Sequence, residues 1–134
     1  MKAGSSVCVR QACCRASLSA EAGFAGSDLW VVVVGGDMPH IGSISVGIPR
    51  SSLADDGTAS ATVSTFNITG HKDDAVGNMF AARLAARFSC VASVSCGIHF
   101  DRATAEDLAE ILDKSHVLLE KLEAELQARS WFPD

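Results

Sequence analysis

The stretch LWVVVVGGDMP, residues 29–39, decides the fold. Residues 29–34 form the longest apolar run of the chain, and four consecutive valines are typical of a strand that is buried on both faces. Two glycines, an acid and a proline follow, and they predict a loop. We therefore interpret the chain as organised around one central β-strand.

Two further strands are predicted after this loop. In residues 40–48, branched apolar residues alternate with very small ones, so one face is apolar and the other leaves room for a helix, a partner or a ligand. The alternating residues are Ser43, Ile44, Ser45, Val46, Gly47 and Ile48. Residues 58–69 are interpreted as the next strand, with a bulge between Val63 and Phe66. Three successive strands with short connections favour an antiparallel meander.

Helical patterns begin after the third of these strands. A helix is predicted from Asp73 or Asp74 to Phe88, because a carboxylate at its start satisfies free backbone N–H groups. Both of its sides are non-polar, so we expect it to be covered on both. Residues 90–98 are interpreted as another strand. A second helix is predicted from Thr104, where Asp107 completes a capping-box pattern.

The second helix carries a narrow apolar seam with alternating spacings of three and four residues. A helix of about 24 residues spans roughly 36 Å, more than a small sheet needs for cover, so the excess is expected to reach a second copy of the chain. Two heptads of core packing would produce a similar pattern. The seam consists of Ala105, Leu108, Leu112, Ser115, Leu119, Leu122 and Leu126, widened by Ile111 and Leu118.

Together these elements predict an α+β fold, with a small, mainly antiparallel sheet flanked by two helices. Residues 28–134 are expected to form a single domain that ends in the long amphipathic helix. Residues 1–27 are rich in Ser, Ala and Gly. We interpret them as a partly loose N-terminal segment with an edge strand over residues 7–16.

Charge and cysteine content exclude several classes of protein. The net charge of −5, from 11 basic and 16 acidic residues, offers no basic face for nucleic acid. No apolar run approaches the ~20 residues that span a bilayer. Five cysteines without a C-x-x-C motif are typical of reduced thiols in the cytoplasm. The adjacent Cys13 and Cys14 receive no role.

Three of the four histidines fall at predicted strand ends, where folds often place their sites. They are His40, His71 and His99, and the last two occur as His-x-Asp, with Asp73 and Asp101. Imidazoles and carboxylates are the usual ligands of a divalent metal such as Zn²⁺. The alternative is three unrelated loop histidines with local hydrogen bonds.

The turn Gly70-His71-Lys72 precedes a predicted helix N-terminus, where exposed N–H groups and a lysine would suit a phosphate. His116 lies in the middle of the last helix and is interpreted as a surface residue. The sequence contains no dinucleotide fingerprint, and no Ser-His-Asp triad can be assigned.

Three motifs, taken in order, resemble the LpdD-like family. They are Gly35-Gly36 with Pro39-His40-Ile41-Gly42, then Gly70-His71-Lys72, and then Gly97-Ile98-His99-Phe100-Asp101. Members of this family accompany UbiD-type decarboxylases of hydroxyaromatic acids and are described as prenylated-flavin chaperones. The resemblance covers about residues 28 to 115.

This resemblance implies a fold like that of proteasome-assembly chaperones, which dimerises, and a role in loading or maturing prenylated FMN in a partner decarboxylase. The matching positions imply a cofactor site at His40, His71, Lys72 and Gly36. They also imply a metal site for Fe²⁺, Mn²⁺ or Zn²⁺ at His40, His71, His99 and Asp101. The protein is then a non-catalytic accessory protein and a cytoplasmic homodimer. The alternatives are a small metal-dependent enzyme that uses these histidines and a pure assembly factor with no cofactor site.

Overall fold

A computed structural model describes residues 5–51, 59–68 and 74–129. They form six strands and two helices. The strands are β1 (Ser6–Cys13), β2 (Ala16–Ala25), β3 (Asp28–Gly36), β4 (Ser43–Ser51), β5 (Ala59–Asn67) and β6 (Ala92–His99). The helices are α1 (Asp74–Phe88) and α2 (Ala105–Ala128).

All six strands belong to one sheet with the order β1-β2-β3-β6-β4-β5. Every neighbouring pair is antiparallel except β3 and β6, which are parallel. The α+β prediction of a mainly antiparallel sheet flanked by two helices is therefore confirmed. The predicted meander of β3, β4 and β5 is wrong, because β6 lies between β3 and β4. A fully apolar strand needs a neighbour on each side, and β6, whose Ala92, Val94 and Cys96 are fully buried, supplies one.

The N-terminal region contributes two strands to this sheet. β1 lies at its edge and β2 pairs with β3. Sequence analysis missed β2 because alanine, serine and glycine give it little strand propensity. Its Leu18, Ala20 and Ala22 are nevertheless fully buried, so the position of this strand is set by tertiary packing.

Helix α1 lies against β4, β5 and β6. The small residues of β4 allow this close approach: a methyl group on Gly47 would lie 2.3 Å from the Ala81 carbonyl oxygen. The small-residue face therefore accommodates a helix of the same chain. We expected both sides of α1 to be covered, but Ala82 and Ala86 are only half-buried and line an open groove beside α2.

Helix α2 begins as predicted, with Thr104 and Asp107 forming a complete capping box. Its apolar seam is divided. The second half packs onto β1 and β2 on the same side of the sheet as α1, with Leu118, Leu119, Leu122 and Leu126 fully buried. In the first half, Leu108 is 56% exposed and Leu112 49%. Core packing therefore explains only the second half of the seam.

The other face of the sheet is covered by no helix in the described ranges of the chain. Ile44, Ile48 and Phe66 are 39%, 49% and 69% exposed there. Trp30 lies across Gly23 on the same face, where a methyl group on Gly23 would come within 2.5 Å of the indole ring. The protein thus has one packed face and one open apolar face. Neither helix is long and apolar enough to cross a membrane, as far as the described residues show.

Candidate ligand site at the carboxyl ends of β3 and β6

The parallel pairing of β3 and β6 brings two of the sequence motifs together. Gly36 and His99 are partners in the register of the two strands, so the loops that follow both strands leave the sheet at the same edge. The carboxyl ends of adjacent parallel strands are a common location for ligand sites. The structure thus brings the ends of these two strands together, while the convergence of all three histidine loops on one pocket stays a prediction.

Backbone contacts fix the loop after β3 against β6. The His99 carbonyl oxygen accepts a hydrogen bond of 2.7 Å from the Asp37 N–H, and the Gly42 N–H donates to the Cys96 carbonyl oxygen at 2.8 Å. Gly97 permits the closest approach, since a methyl group there would lie 1.8 Å from the His40 carbonyl oxygen. Residues 37–42 are therefore held tightly enough to position His40.

The two histidines lie side by side at this edge. The ring centroids of His40 and His99 are 6.4 Å apart, with the rings nearly perpendicular. His99 Nε2 donates to Asp101 Oδ1 at 3.0 Å, and His40 Nδ1 donates to the Met38 carbonyl oxygen at 3.1 Å. The His99-x-Asp101 motif is thus a real side-chain pair that orients the His99 ring.

An ionic network that sequence analysis missed supports the same edge. Arg15 donates to Asp37 Oδ2 and to the Asp101 carbonyl oxygen, each at 2.6 Å. The Asp101 N–H donates to Asp37 Oδ2 at 3.0 Å. This backbone hydrogen bond and the Arg15 guanidinium hold the pKa of Asp37 below its usual range. No local sequence signal points to Arg15, because only the β1–β2 hairpin brings it here.

Beside this network lies an open, polar groove of about 1020 Å³. It is lined by Arg15, Asp37, Asp101, Arg102, Thr104 and Asp107. Arg102 adopts a left-handed backbone conformation, with φ at 55°. The loop that runs from Asp37 also exposes Met38 by 59% and Ile41 by 53%. This edge therefore carries both charged groups and exposed apolar side chains.

His71 and Lys72 lie outside the described residues. The residues on either side are at the same edge: the Ile68 N–H donates to the Gly42 carbonyl oxygen at 2.9 Å, and a methyl group on Gly77 would lie 3.1 Å from Ser43 Oγ. The predicted cofactor site at His40, His71, Lys72 and Gly36 stays a prediction. Gly36 has φ at 85°, and a side chain there would collide with the His99 carbonyl oxygen.

The predicted metal site at His40, His71, His99 and Asp101 also stays a prediction, because one of its four residues is not described. The described residues do contain a possible metal-binding cluster at another place, with all ligand atoms within 4.8 Å of one another. It comprises Cys13, Cys14 and Glu110.

Comparison with known families matches residues 12–127 to the family described as the prenylated flavin chaperone LpdD-like domain. The chain belongs to this family. The LpdD-like domain thus extends beyond residues 28–115, where the motifs alone placed it, and includes β2 and nearly all of α2. Its family description supports an accessory chaperone role that involves prenylated flavin.

Among solved structures, this LpdD-like domain is similar to one titled a novel chaperone complex for yeast 20S proteasome assembly. The two are 13% identical, with a TM-score of 0.49, over 91% of this chain and 96% of the other. A search of curated proteins found no significant match.

Proposed function

We propose that this protein is an accessory chaperone that helps to load or mature prenylated FMN in a UbiD-type decarboxylase of hydroxyaromatic acids. The observation that carries the proposal is the meeting of two family motifs at one sheet edge. His40 and His99 lie side by side there, next to a groove that contains arginine. Prenylated FMN would be held here transiently, before transfer to the partner.

Two features of the described residues support this proposal. A flavin mononucleotide combines a phosphate with a large apolar ring system, so its site needs a cation beside exposed apolar surface. Arg102 supplies a cation in a groove that also contains the carboxylates of Asp37, Asp101 and Asp107. Exposed apolar surface comes from Met38 and Ile41 in the loop after β3. The groove volume of about 1020 Å³ is at the upper end of the range for small-molecule sites. In this proposal, Lys72 adds a second cation and His71 joins His40 beside the ring.

A non-catalytic role is supported by the hydrogen bonds of the carboxylates around the groove. Asp37 binds Arg15, Asp101 accepts from His99, and Asp107 accepts from the Thr104 N–H of the capping box. Each of these carboxylates therefore positions a loop or a helix end. The alternative, a small metal-dependent enzyme, would use His40, His71, His99 and Asp101 as ligands of Fe²⁺, Mn²⁺ or Zn²⁺.

The test measures the binding of FMN and of prenylated FMN to the purified protein, with and without each of these metals. Binding is monitored by flavin fluorescence. We expect His99→Ala and Arg102→Ala to weaken flavin binding at least about tenfold, the equivalent of one lost charge-assisted contact. His116→Ala is the matched control, since His116 is exposed on α2. Equal binding by all three variants would place the flavin elsewhere.

A cellular assay separates loading from mere binding. A partner decarboxylase produced together with the wild-type protein should contain more prenylated FMN than one produced with His99→Ala. If the variant supports the same flavin content, the histidine site has no part in loading. Turnover of a hydroxyaromatic acid by the purified protein alone would favour the enzyme alternative.

We also propose that the protein is a cytoplasmic homodimer that pairs through the open sheet face. Six strands about 4.8 Å apart and about nine residues long present a flat area of roughly 850 Å², close to the ~800 Å² per partner of a stable interface. Five cysteines, none in a disulfide, suit a reducing compartment.

The exposed Leu108 and Leu112 favour a second candidate function, a pure assembly factor that holds decarboxylase subunits with α2. This candidate predicts that Leu112→Glu abolishes support of the partner while His99→Ala has no effect. The flavin-loading proposal predicts the opposite pattern.

A further inference from the structure

The turn between β1 and β2 places two thiols and a carboxylate together. Cys13 ends β1 and pairs with Ala16, so Cys14 and Arg15 form the turn. Cys13 is only 1% exposed, Cys14 is half-buried, and Glu110 reaches them from the exposed first half of α2. The backbone N–H of Cys14 donates to the Glu110 carboxylate, which anchors that side chain beside the thiols.

The spacing of the sulfur atoms matches that of a tetrahedral metal centre. Cys13 Sγ and Cys14 Sγ are 3.8 Å apart. Two sulfurs bound to one Zn²⁺ at ~2.3 Å in tetrahedral geometry lie about 3.8 Å apart. All three ligand atoms, including a Glu110 oxygen, lie within 4.8 Å of one another. The side chains therefore need only small movements to enclose an ion.

The electrostatic surroundings favour a cation. Partial burial, the neighbouring Cys13 thiol and the Glu110 carboxylate raise the pKa of Cys14 to about 12. Burial also raises the pKa of Cys13, with Glu110 and Asp107 acting in the same direction, while the hydrogen bond with the Cys14 thiol and the charge of Lys114 lower it. The raised pKa values mean that protons compete with a metal for the two sulfurs, whereas the negative charge of Glu110 and Asp107 favours a divalent cation.

We propose that Cys13, Cys14 and Glu110 bind one Zn²⁺ or a similar thiophilic divalent cation, with water as the fourth ligand. On binding, both thiols lose their protons to solvent and the carboxylate binds as it is, so two protons are released per ion. Access is available from the Glu110 side, which is exposed. The ion would join the β1–β2 turn to α2, which lies far away along the chain. It would thereby fix the position of Arg15, which lines the groove.

The test uses the full, reduced protein and a Co²⁺ titration, because thiolate-bound Co²⁺ has a charge-transfer band in the near ultraviolet. We expect one Co²⁺ per chain, displacement by Zn²⁺, and about two protons released per ion in a weakly buffered solution. Cys14→Ser should roughly halve the band and weaken binding at least about tenfold, and Glu110→Gln should weaken binding about tenfold with the band retained.

Two controls separate this site from others. Cys8→Ser removes an exposed thiol away from the cluster and should leave the titration unchanged. His99→Ala tests whether the ion is bound at the histidines and should also leave the band unchanged. The proposal is overturned if wild type shows no charge-transfer band, or if Cys14→Ser binds Co²⁺ with unchanged band and affinity while circular dichroism shows that it is folded.

Discussion

Gly97→Ala is the sharpest test of how His40 is positioned. The added methyl carbon would lie 1.8 Å from the His40 carbonyl oxygen, whereas such contacts are essentially never under 3.0 Å. Either β6 or the loop that contains His40 must therefore move by about 1.2 Å. Because Gly42 in the same loop donates to the Cys96 carbonyl oxygen at 2.8 Å, that movement also strains a buried hydrogen bond.

The expected cost follows from these two effects. Overpacking a close backbone contact costs about 1–3 kcal/mol, and a weakened buried hydrogen bond costs about 1–3 kcal/mol more. We expect the free energy of unfolding to fall by about 2–6 kcal/mol in urea titrations monitored by circular dichroism. The matched control is Gly26→Ala, where φ is 64° and no atom lies within 4 Å. It should lose only ~1 kcal/mol, from backbone conformation alone.

Flavin binding by Gly97→Ala is the second readout. If His40 contributes to the site, the folded variant should bind prenylated FMN more weakly than Gly26→Ala does. Losses below about 1 kcal/mol for both variants would refute the reasoning, because they would show that residues 37–42 move freely and that Gly97 does not position His40.

Three further predictions follow from other contacts. Glu123 is 3% exposed at its side chain and binds Arg83 at 2.6 Å, so Glu123→Gln should lower the free energy of unfolding by about 1–2 kcal/mol; a thermal melt with no change would contradict this. Because the pKa of Asp37 is lowered in the folded protein, its stabilising effect is present above the usual aspartate pKa and is lost as the pH falls below about 4. Asp37→Asn should therefore be less stable than wild type at pH 7, and a difference that persists at pH 2 would contradict this assignment. Ile48→Glu, on the open sheet face, should shift the protein towards monomer in sedimentation velocity while Leu112→Glu does not; the reverse result would place the dimer interface on α2.

The parts of the fold predicted from the sequence are those decided by neighbours along the chain. The start of α2 was predicted because Thr104 and Asp107 satisfy each other's backbone N–H groups within one turn. β3 was predicted because its run of valines suits only a buried strand. Neither interpretation required knowledge of what the segment packs against.

The remaining features depend on contacts between distant segments. The insertion of β6 between β3 and β4 leaves no local signal, since its small residues fit many positions in a sheet. In the candidate site, the His99-x-Asp101 pair could be predicted because its partners are two residues apart. The role of Arg15 could not be predicted, because its partner Asp37 lies 22 residues away along the chain. The contact between Cys14 and Glu110 could not be predicted either, because 96 residues separate them.

The position of β6 has a consequence for the order in which the molecule assembles. Before β6 is synthesised, the chain can form a β1–β2–β3 unit and a separate β4–β5 hairpin, but nothing in the sheet joins them. Ribosomes add about 5–20 residues per second, so roughly 3–10 s pass between the end of β3 and the start of β6. During that interval the edges of β3 and β4 that later pair with β6 have no partner, and unpaired edges can associate with another chain. A single strand, β6, covers both of these edges.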